Sequence, residues 1–337
     1  MGTYPTYFSN HLALAKLPWL EVRDGRPALA EPLESKIIDI HSHLALTYLR
    51  RASVDLWKKH LRTCHYLPLE RPVDLDVYAN KNLSEDDLKR MKADLTWATA
   101  TTSGMRETHT AANLLQEMDD LGITKTVVLP IDFPFVSRNA ETFIQCVKST
   151  DRLLSFGSVH PHAPNPGQEM ERQKTMGARG IKVHSAIQMV APDSPRAMLL
   201  YESCADLGLP VLWHCGPVGI EPRLGRHLCQ VKNYWRPLLE CERTTFILGH
   251  SGALQMEMGL ELAKRHDNAY LDISCQSLTN VRRIVAEAPP ERVLFGSDWP
   301  FYHQALPLAK VLIATEGDPS ARRRILWENA ARLFDIT

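Results

Sequence analysis

The sequence predicts an α/β fold, a (β/α)8 TIM barrel with a short N-terminal arm and a helical insertion after its first strand. Three observations carry that expectation. Eight short β-rich apolar runs recur along the chain, segments with apolar residues at three and four spacing separate them, and polar residues stand at the C-terminal ends of several runs. Alternation of this kind makes a parallel sheet, and eight repeats over about 260 residues suit a closed barrel. The 337 residues would also accommodate two ordinary domains, but one continuous rhythm favours a single barrel over 36–337.

Residues 1–35 are rich in Pro and polar side chains, and "LEVRDGRPAL" reads as a hairpin around Asp24 and Gly25 in an arm laid over the barrel. "KIIDIHSH" (36–43) is the first strand. Residues 44–110 are too long for an ordinary connection. Within them "SVDLWKKHLRTC" and "SEDDLKRMKADLTWATA" look helical, the second opening with Ser84 and Asp87 in a near capping box. An insertion at a strand exit suits a lid or pocket wall, with a solvated helical excursion as the competing reading. The remaining strands are "KTVVLPID" (125–132), "LLSFGSVH" (153–160), "RGIKVHS" (179–185), "LPVLWHCG" (209–216), "TTFILGHSG" (244–252), "AYLDISC" (269–275) and "RVLFGSDW" (292–299). Helical segments between them, such as "TAANLLQEMDDLGI", often stop at glycine.

Composition narrows the partners. Thirty-nine basic residues balance 39 acidic ones without long blocks of one sign, so no broad field draws nucleic acid or an anionic membrane, and a small-molecule substrate is expected. The seven cysteines are odd in number and scattered without a CxxC pair. That argues against a disulfide framework and for a reducing cytoplasm. The N-terminus lacks a secretory pattern, and no apolar run is long enough to span a membrane. "MGTYPT" formally fits a myristoylation pattern, with an ordinary start sequence as the simpler alternative. Barrels of this size often dimerise, so a homodimer is allowed, although no residue requires one.

The strand ends carry the chemistry. His41 and His43, two residues apart, share a face if Ile40 and Ser42 point toward the helices. His214 follows "PVLW", His250 follows "FILG" and Asp298 follows "VLFGS", all on the barrel face that holds active sites. Burying imidazoles and a carboxylate together calls for a cation, and three histidines with one carboxylate and an open position suit a catalytic zinc site. The bland alternatives are a helix cap for Asp298 and core imidazoles satisfied by backbone for His214 and His250.

The motifs "DIHSH", "VLWHCG", "FILGHSGA", "LFGSDWPF" and the terminal "ILWENAARLFDI" resemble, over 36–337, the metal-dependent amidohydrolase superfamily. The likeness is to its amidohydrolase-2 branch of aminocarboxymuconate-semialdehyde decarboxylase-like proteins and lactone hydrolases. That resemblance implies one divalent metal, Zn2+ first with Mn2+ or another divalent ion as alternative, held by His41, His43, His214 and Asp298. It also implies that His250 stands beside the metal as a catalytic group and that the Asn329 region completes the barrel. Lys182 falls where binuclear relatives carry a carbamylated bridging lysine; a lysine that pairs with a carboxylate or contacts substrate is the preferred reading. His184 shares its face and is a substrate contact, while His160 and His162 belong to a rim loop stiffened by prolines.

A metal of this kind generates a nucleophilic water near neutral pH. Asp298 would take that water's proton and return it to the leaving group, and His250 would orient the water or donate to the developing oxyanion. Arg50 and Arg51 after the first strand, or Arg223 and Arg226 after the fifth, could clamp a substrate carboxylate. Trp299, with Trp213 and the Phe301–Tyr302 pair, could stack on a ring; solvated arginines and packing tryptophans are the alternatives. The expected activity is hydrolysis of an amide, lactone or ester carbonyl in a small, carboxylated substrate, preferred by analogy with the commoner superfamily chemistry. Non-oxidative decarboxylation of an aromatic or unsaturated acid is the runner-up. A catalytically silent metal- and ligand-binding barrel comes third, and a missing ligand residue would mark it.

Overall fold

The computed structural model describes residues 4–48, 50–97, 103–133 and 136–337. Among them, eight short parallel strands form the barrel: β1 Ile38–Ser42, β2 Lys125–Val128, β3 Leu153–Ser155, β4 Ile181–Val183, β5 Val211–His214, β6 Phe246–Gly249, β7 Ala269–Asp272 and β8 Val293–Leu294. β1, β2 and β3 pair in sequence, as do β4 through β8. Backbone hydrogen bonds join the two sheets at both edges. Lys182 N–H donates to Gly157 O (2.8 Å) between β4 and the exit of β3, while Ile40 N–H donates to Phe295 O (2.9 Å) and His43 N–H to Trp299 O (2.7 Å) between β1 and the exit of β8. The ring of eight therefore closes, as the alternating pattern predicts.

Ile38, Ile40, Val127, Leu212, Ile247 and Leu294 belong to one buried cluster. Residues from strands all round the ring can meet only in its interior. Ala330 and Phe334 of the C-terminal helix Asn329–Phe334 join that cluster, and the Asn329 amide donates to Pro290 O (2.8 Å) and Val293 O (2.9 Å). Apolar residues on the other faces of the strands, such as Val211, Trp213 and Leu248, pack in the larger cluster that also holds the buried faces of the surrounding helices.

Ile40 departs from expectation. It faces inward rather than toward the helices, yet Ser42 points away, its hydroxyl donating to Val127 O (2.9 Å). A register shift between Asp39 and Ser42 reconciles the two: a bulge inserts one residue and re-aims the side chains that follow. His41 and His43 owe their common direction to that bulge as well as to the two-residue period.

The arm forms the predicted hairpin, Leu20–Arg23 with Arg26–Leu29. Asp24 (φ 51°) and Gly25 (φ 71°) both take positive φ, which a tight two-residue turn demands. Upstream, Tyr7–Phe8 pairs with Val73–Asp74, tying the start of the chain to the long connection after β1. Within that connection a helix spans Glu85–Trp97, and Ser84 and Asp87 cap it reciprocally, each backbone N–H meeting the other's side-chain oxygen at 3.2 Å. The expected end of this helix, 98–100, lies outside the described residues.

The other expected helix, 53–64, does not form. Its backbone groups are taken by the start of the helix Ala111–Asp120 and its surroundings: His60 N–H donates to Asn113 Oδ1 (2.8 Å), Cys64 N–H to Thr108 Oγ1 (2.8 Å), and Leu56 O accepts from Ala111 N–H (2.8 Å). Tertiary partners outcompete the i to i+4 ladder there. No helix among the described residues is long and apolar enough to cross a membrane.

Three buried histidines outside the strand-end cluster give the fold a pH signature. Burial pushes His11 and His109 down to about 3 and His303 down to about 4, neighbouring imidazoles adding to the effect. An unfolded histidine titrates near 6.5, so each stays neutral in the fold while its unfolded counterpart takes up a proton. Their contribution is complete above pH 6.5 and is lost as pH falls toward 4, by up to about 1.4 kcal/mol per pH unit for each group. Urea midpoints at pH 7.5, 6 and 5 should show the decline, and His109→Phe should flatten its slope by about one proton's worth. Identical slopes in wild type and variant would refute the assignment.

Candidate active site

Two imidazoles at the end of β1 face one carboxylate. The Nδ1 of His41 meets Asp272 Oδ2 at 2.6 Å, and that of His43 meets Leu129 O at 2.8 Å. Each partner is an acceptor, so Nδ1 carries the proton and Nε2 keeps its lone pair. The two Nε2 atoms lie 3.6 and 3.5 Å from Asp298 Oδ1, and His41 Nε2 is buried with no hydrogen-bond partner. Asp298 does not cap a helix: the next one, Ala305–Ala314, begins beyond it without a side-chain cap.

Asp298 remains a carboxylate despite its surroundings. Burial pushes its pKa up, but the neighbouring imidazoles of His43, His250 and His41 outweigh that and hold it below the usual range. Burial, with Lys182 next in weight, keeps His41 neutral. Buried lone pairs from two imidazoles beside an ionised carboxylate, one of them otherwise unpartnered, fit a divalent metal.

A second group of side chains adjoins the first. Ser274 donates its hydroxyl to Asp272 Oδ2 (2.7 Å), so its oxygen accepts from His250 Nδ1–H (2.8 Å). His250 Nε2 then holds a lone pair and meets His214 Nδ1 at 3.2 Å. His214 Nε2 lies 3.7 Å from Glu221 Oε1 and makes no hydrogen bond. His184 stacks on the His214 ring, centroids 4.0 Å apart. The donor atoms of His41, His43 and Asp298 fall within 4.8 Å of one another, as do those of His41, His250 and Asp272 and those of His250, Cys275 and Asp298. His214 belongs to none of these sets and stands one imidazole farther out, against His250.

The backbone is strained where this constellation sits. His250 (φ 56°), Cys275 (φ 66°) and Asp298 (φ 62°) all lie in the left-handed region, at about 1–3 kcal/mol each for a non-glycine residue. The bend after β6 also needs glycine nearby. A Cβ on Gly216 (φ 84°) would stand 2.0 Å from Gly252 O.

Above the cluster opens a cavity of about 700 Å3, lined by His43, Lys182, His184, His214, Glu221, His250, Cys275 and Asp298 and walled by Phe133, Phe301 and Tyr302. The connection after β1 adds Tyr48, Tyr78, Asn80 and Lys92 to the wall. Lys182 is buried, and its ammonium has no hydrogen-bond partner. Burial lowers its pKa to about 8, against the pull of Asp298 and Asp272.

Other residues expected at the site lie elsewhere. Arg51 is exposed and donates to Thr142 Oγ1 (2.9 Å), Arg50 meets Ser53 Oγ (3.4 Å), and neither lines the cavity. Trp299 is fully buried, its indole N–H donating to Glu117 Oε2 (3.2 Å).

The profile of the amidohydrolase family matches residues 38–336. The chain belongs to the amidohydrolase family. The 4-sulfomuconolactone hydrolase of Rhizobium radiobacter is 26% identical to this amidohydrolase, the match covering 65% of this chain and 78% of that protein. Two solved structures share the barrel. An uncharacterised TIM-barrel protein from Bordetella bronchiseptica aligns with a TM-score of 0.62 at 18% identity, covering 89% of this chain and 99% of its own. The 2,6-dihydroxybenzoate decarboxylase from Rhizobium aligns with a TM-score of 0.60 at 16% identity, covering 90% and 99%. This amidohydrolase is thus a metal-dependent enzyme of a family acting on small molecules, and the His/Asp groups at its strand ends are able to bind the metal.

Sequence reasoning missed Asp272, Glu221 and Cys275. Asp272 is the most informative omission. One of its oxygens accepts from His41 Nδ1–H, from Ser274 Oγ–H and from the His250 backbone N–H (3.1 Å), so a single carboxylate orients both histidines. Its signal was available: in "YLDIS" an Asp stands at a strand end, as the other polar site residues do. Asp272→Asn should weaken metal binding by about 10- to 100-fold, the usual cost of losing a carboxylate behind a ligating histidine. Competition against a chromophoric chelator measures this, and unchanged affinity would remove Asp272 from the site.

Proposed function

We propose that this amidohydrolase hydrolyses a lactone, ester or amide carbonyl in a small carboxylated substrate, using one Zn2+ held by His41, His43, His214 and Asp298. The observation that carries the reading is the ionised Asp298 carboxylate facing two imidazole lone pairs beneath a cavity that also holds an unpaired ammonium, Lys182. The likeness to 4-sulfomuconolactone hydrolase supports a lactone among the candidate substrates. A divalent metal at this site supplies an activated water and polarises the carbonyl.

The side chains do the remainder. Asp298 receives the water's proton and returns it to the leaving oxygen or nitrogen. His250, its Nδ1–H committed to Ser274, offers the Nε2 lone pair to a hydrogen of the attacking water, which favours orienting the nucleophile over donation to the oxyanion. Lys182 binds the substrate carboxylate, and His184 lies beside it on the cavity wall. Seven free cysteines suit work in a reducing cytoplasm.

The test is turnover of a panel of carboxylated lactones, esters and aryl acids by the zinc-loaded protein, with proton release and CO2 release followed separately. Hydrolysis is expected, and Lys182→Met should raise KM for the anionic substrates by about 10- to 100-fold, the worth of a charge-assisted hydrogen bond. Release of CO2 from aryl acids with the lactones and esters left intact would replace hydrolysis by decarboxylation.

A further inference from the structure

The two oxygens of Asp298 face different donor sets. Oδ1 is turned toward His41 and His43, as described, while Oδ2 accepts from the Cys275 thiol at 3.2 Å. Cys275 and His250 sit on the exits of β7 and β6, and with Asp298 they bring a sulfur, a nitrogen and an oxygen within 4.8 Å of one another, all three buried. His250 Nε2 holds a lone pair, by the hydrogen-bond order through Ser274. Zinc bonds of about 2.3 Å to sulfur and about 2.0–2.2 Å to oxygen place those two atoms roughly 3.5 Å apart in a tetrahedral site, close to the separation seen. Lys182 and His214, whose buried Nζ and Nε2 atoms make no hydrogen bond, line the same cavity. Among the seven cysteines, Cys275 is the one that lines it.

We infer that Asp298 bridges two metal positions, the second formed by Asp298 Oδ2, His250 Nε2 and the Cys275 thiolate and selective for a thiophilic ion such as Zn2+ or Cd2+. The inference rests on the reading of His41, His43, His214 and Asp298 as the first position. Thiolate is a soft ligand, so a hard ion such as Mn2+ fills the first position and leaves the second. Binding releases the thiol proton to solvent as the Sγ–metal bond forms. The arrangement differs from a lysine-bridged pair because Lys182 takes no part in it. A second ion would occupy the Asp298 oxygen and the His250 lone pair, so excess thiophilic metal competes with the proton transfer and water orientation assigned above.

The experiment is a Cd2+ titration of the metal-free full chain, following the ultraviolet thiolate-to-cadmium charge-transfer absorption together with bound cadmium per chain by elemental mass spectrometry. Wild type should bind two ions and develop the absorption. Cys275→Ser and Cys275→Ala should bind one ion without it, and Cys64→Ser, which removes the exposed thiol, should titrate as wild type does. A Cys275→Ser protein that keeps both the absorption and the second ion overturns the proposal, as does a wild type that binds two ions with no thiolate absorption. His41→Ala with His43→Ala separates the two readings. Loss of one ion with the cadmium–thiolate signal retained leaves the first position where it is placed, whereas two ions still bound would remove the first position while Cys275 is judged on its own signal.

Discussion

Asp298→Asn is expected to lower kcat by about 10³-fold or more, since general acid–base catalysis alone supplies about 10²- to 10⁴-fold and this side chain is also a proposed metal ligand. The substitution preserves volume but presents an amide that cannot accept the water's proton. It should not unfold the protein. Asp298 has φ 62°, a conformation that Asn adopts more readily than most residues, and the backbone N–H of residue 298 keeps its bond to His41 O (2.8 Å). Steady-state turnover should be read beside metal content by elemental mass spectrometry. If added metal refills the variant and turnover remains low, proton transfer is the lost function; a variant within tenfold of wild type at full occupancy would mean that the base lies elsewhere.

Much of this site is legible in the sequence because a barrel converts one-dimensional position into three-dimensional proximity. Residues at the ends of parallel strands converge on one face wherever they lie in the chain, so His41, His43, His214, His250 and Asp298 can be gathered from four separate runs. What the pattern does not carry is distance and aim. Nothing in "DIHSH" announces the bulge that turns both imidazoles inward after Ile40. Glu221 reaches His214 from a loop whose backbone folds back on that same carboxylate, Val218 N–H and Gly219 N–H donating to it, a contact with no period to betray it. Arg50 and Arg51 do not line the cavity for the same reason. Their proximity in sequence to β1 does not survive the path of the connection, which carries Arg51 to the surface beside Thr142. Residues 53–64 have helical spacing but lose their backbone groups to side chains of later segments.

Glu117→Ala should be the most destabilising of the substitutions considered, by about 3–5 kcal/mol, the cost of removing one partner from a buried charged network. Glu117 sits on the helix Ala111–Asp120, far in sequence from the strand-8 exit, yet its carboxylate holds that exit in place. Oε1 accepts from Gln304 N–H (2.6 Å), and Oε2 accepts from the Trp299 indole (3.2 Å) and faces His65 Nε2 (3.0 Å). Burial raises its pKa, but the neighbouring imidazoles of His303 and His65 and the hydrogen bonds it accepts outweigh that and bring it down to about 2, so it stays ionised. Gln304 continues the network, its amide donating to Asp39 Oδ2 (2.7 Å), and Asp39 Oδ1 accepts from the backbone N–H groups of Ser297 (2.9 Å) and His41 (3.1 Å). Asp298 therefore lies between two carboxylates, Asp39 before it and Glu117 after it, that fix the loop from both sides. Alanine leaves the Gln304 N–H and the indole N–H buried without acceptors, and each costs about 1–3 kcal/mol. Urea denaturation at pH 7.5 with metal saturating should show the lowered midpoint. A shift smaller than about 1 kcal/mol, the net worth of one ordinary hydrogen bond, would mean that the loop is held by its apolar packing and that the carboxylate is dispensable.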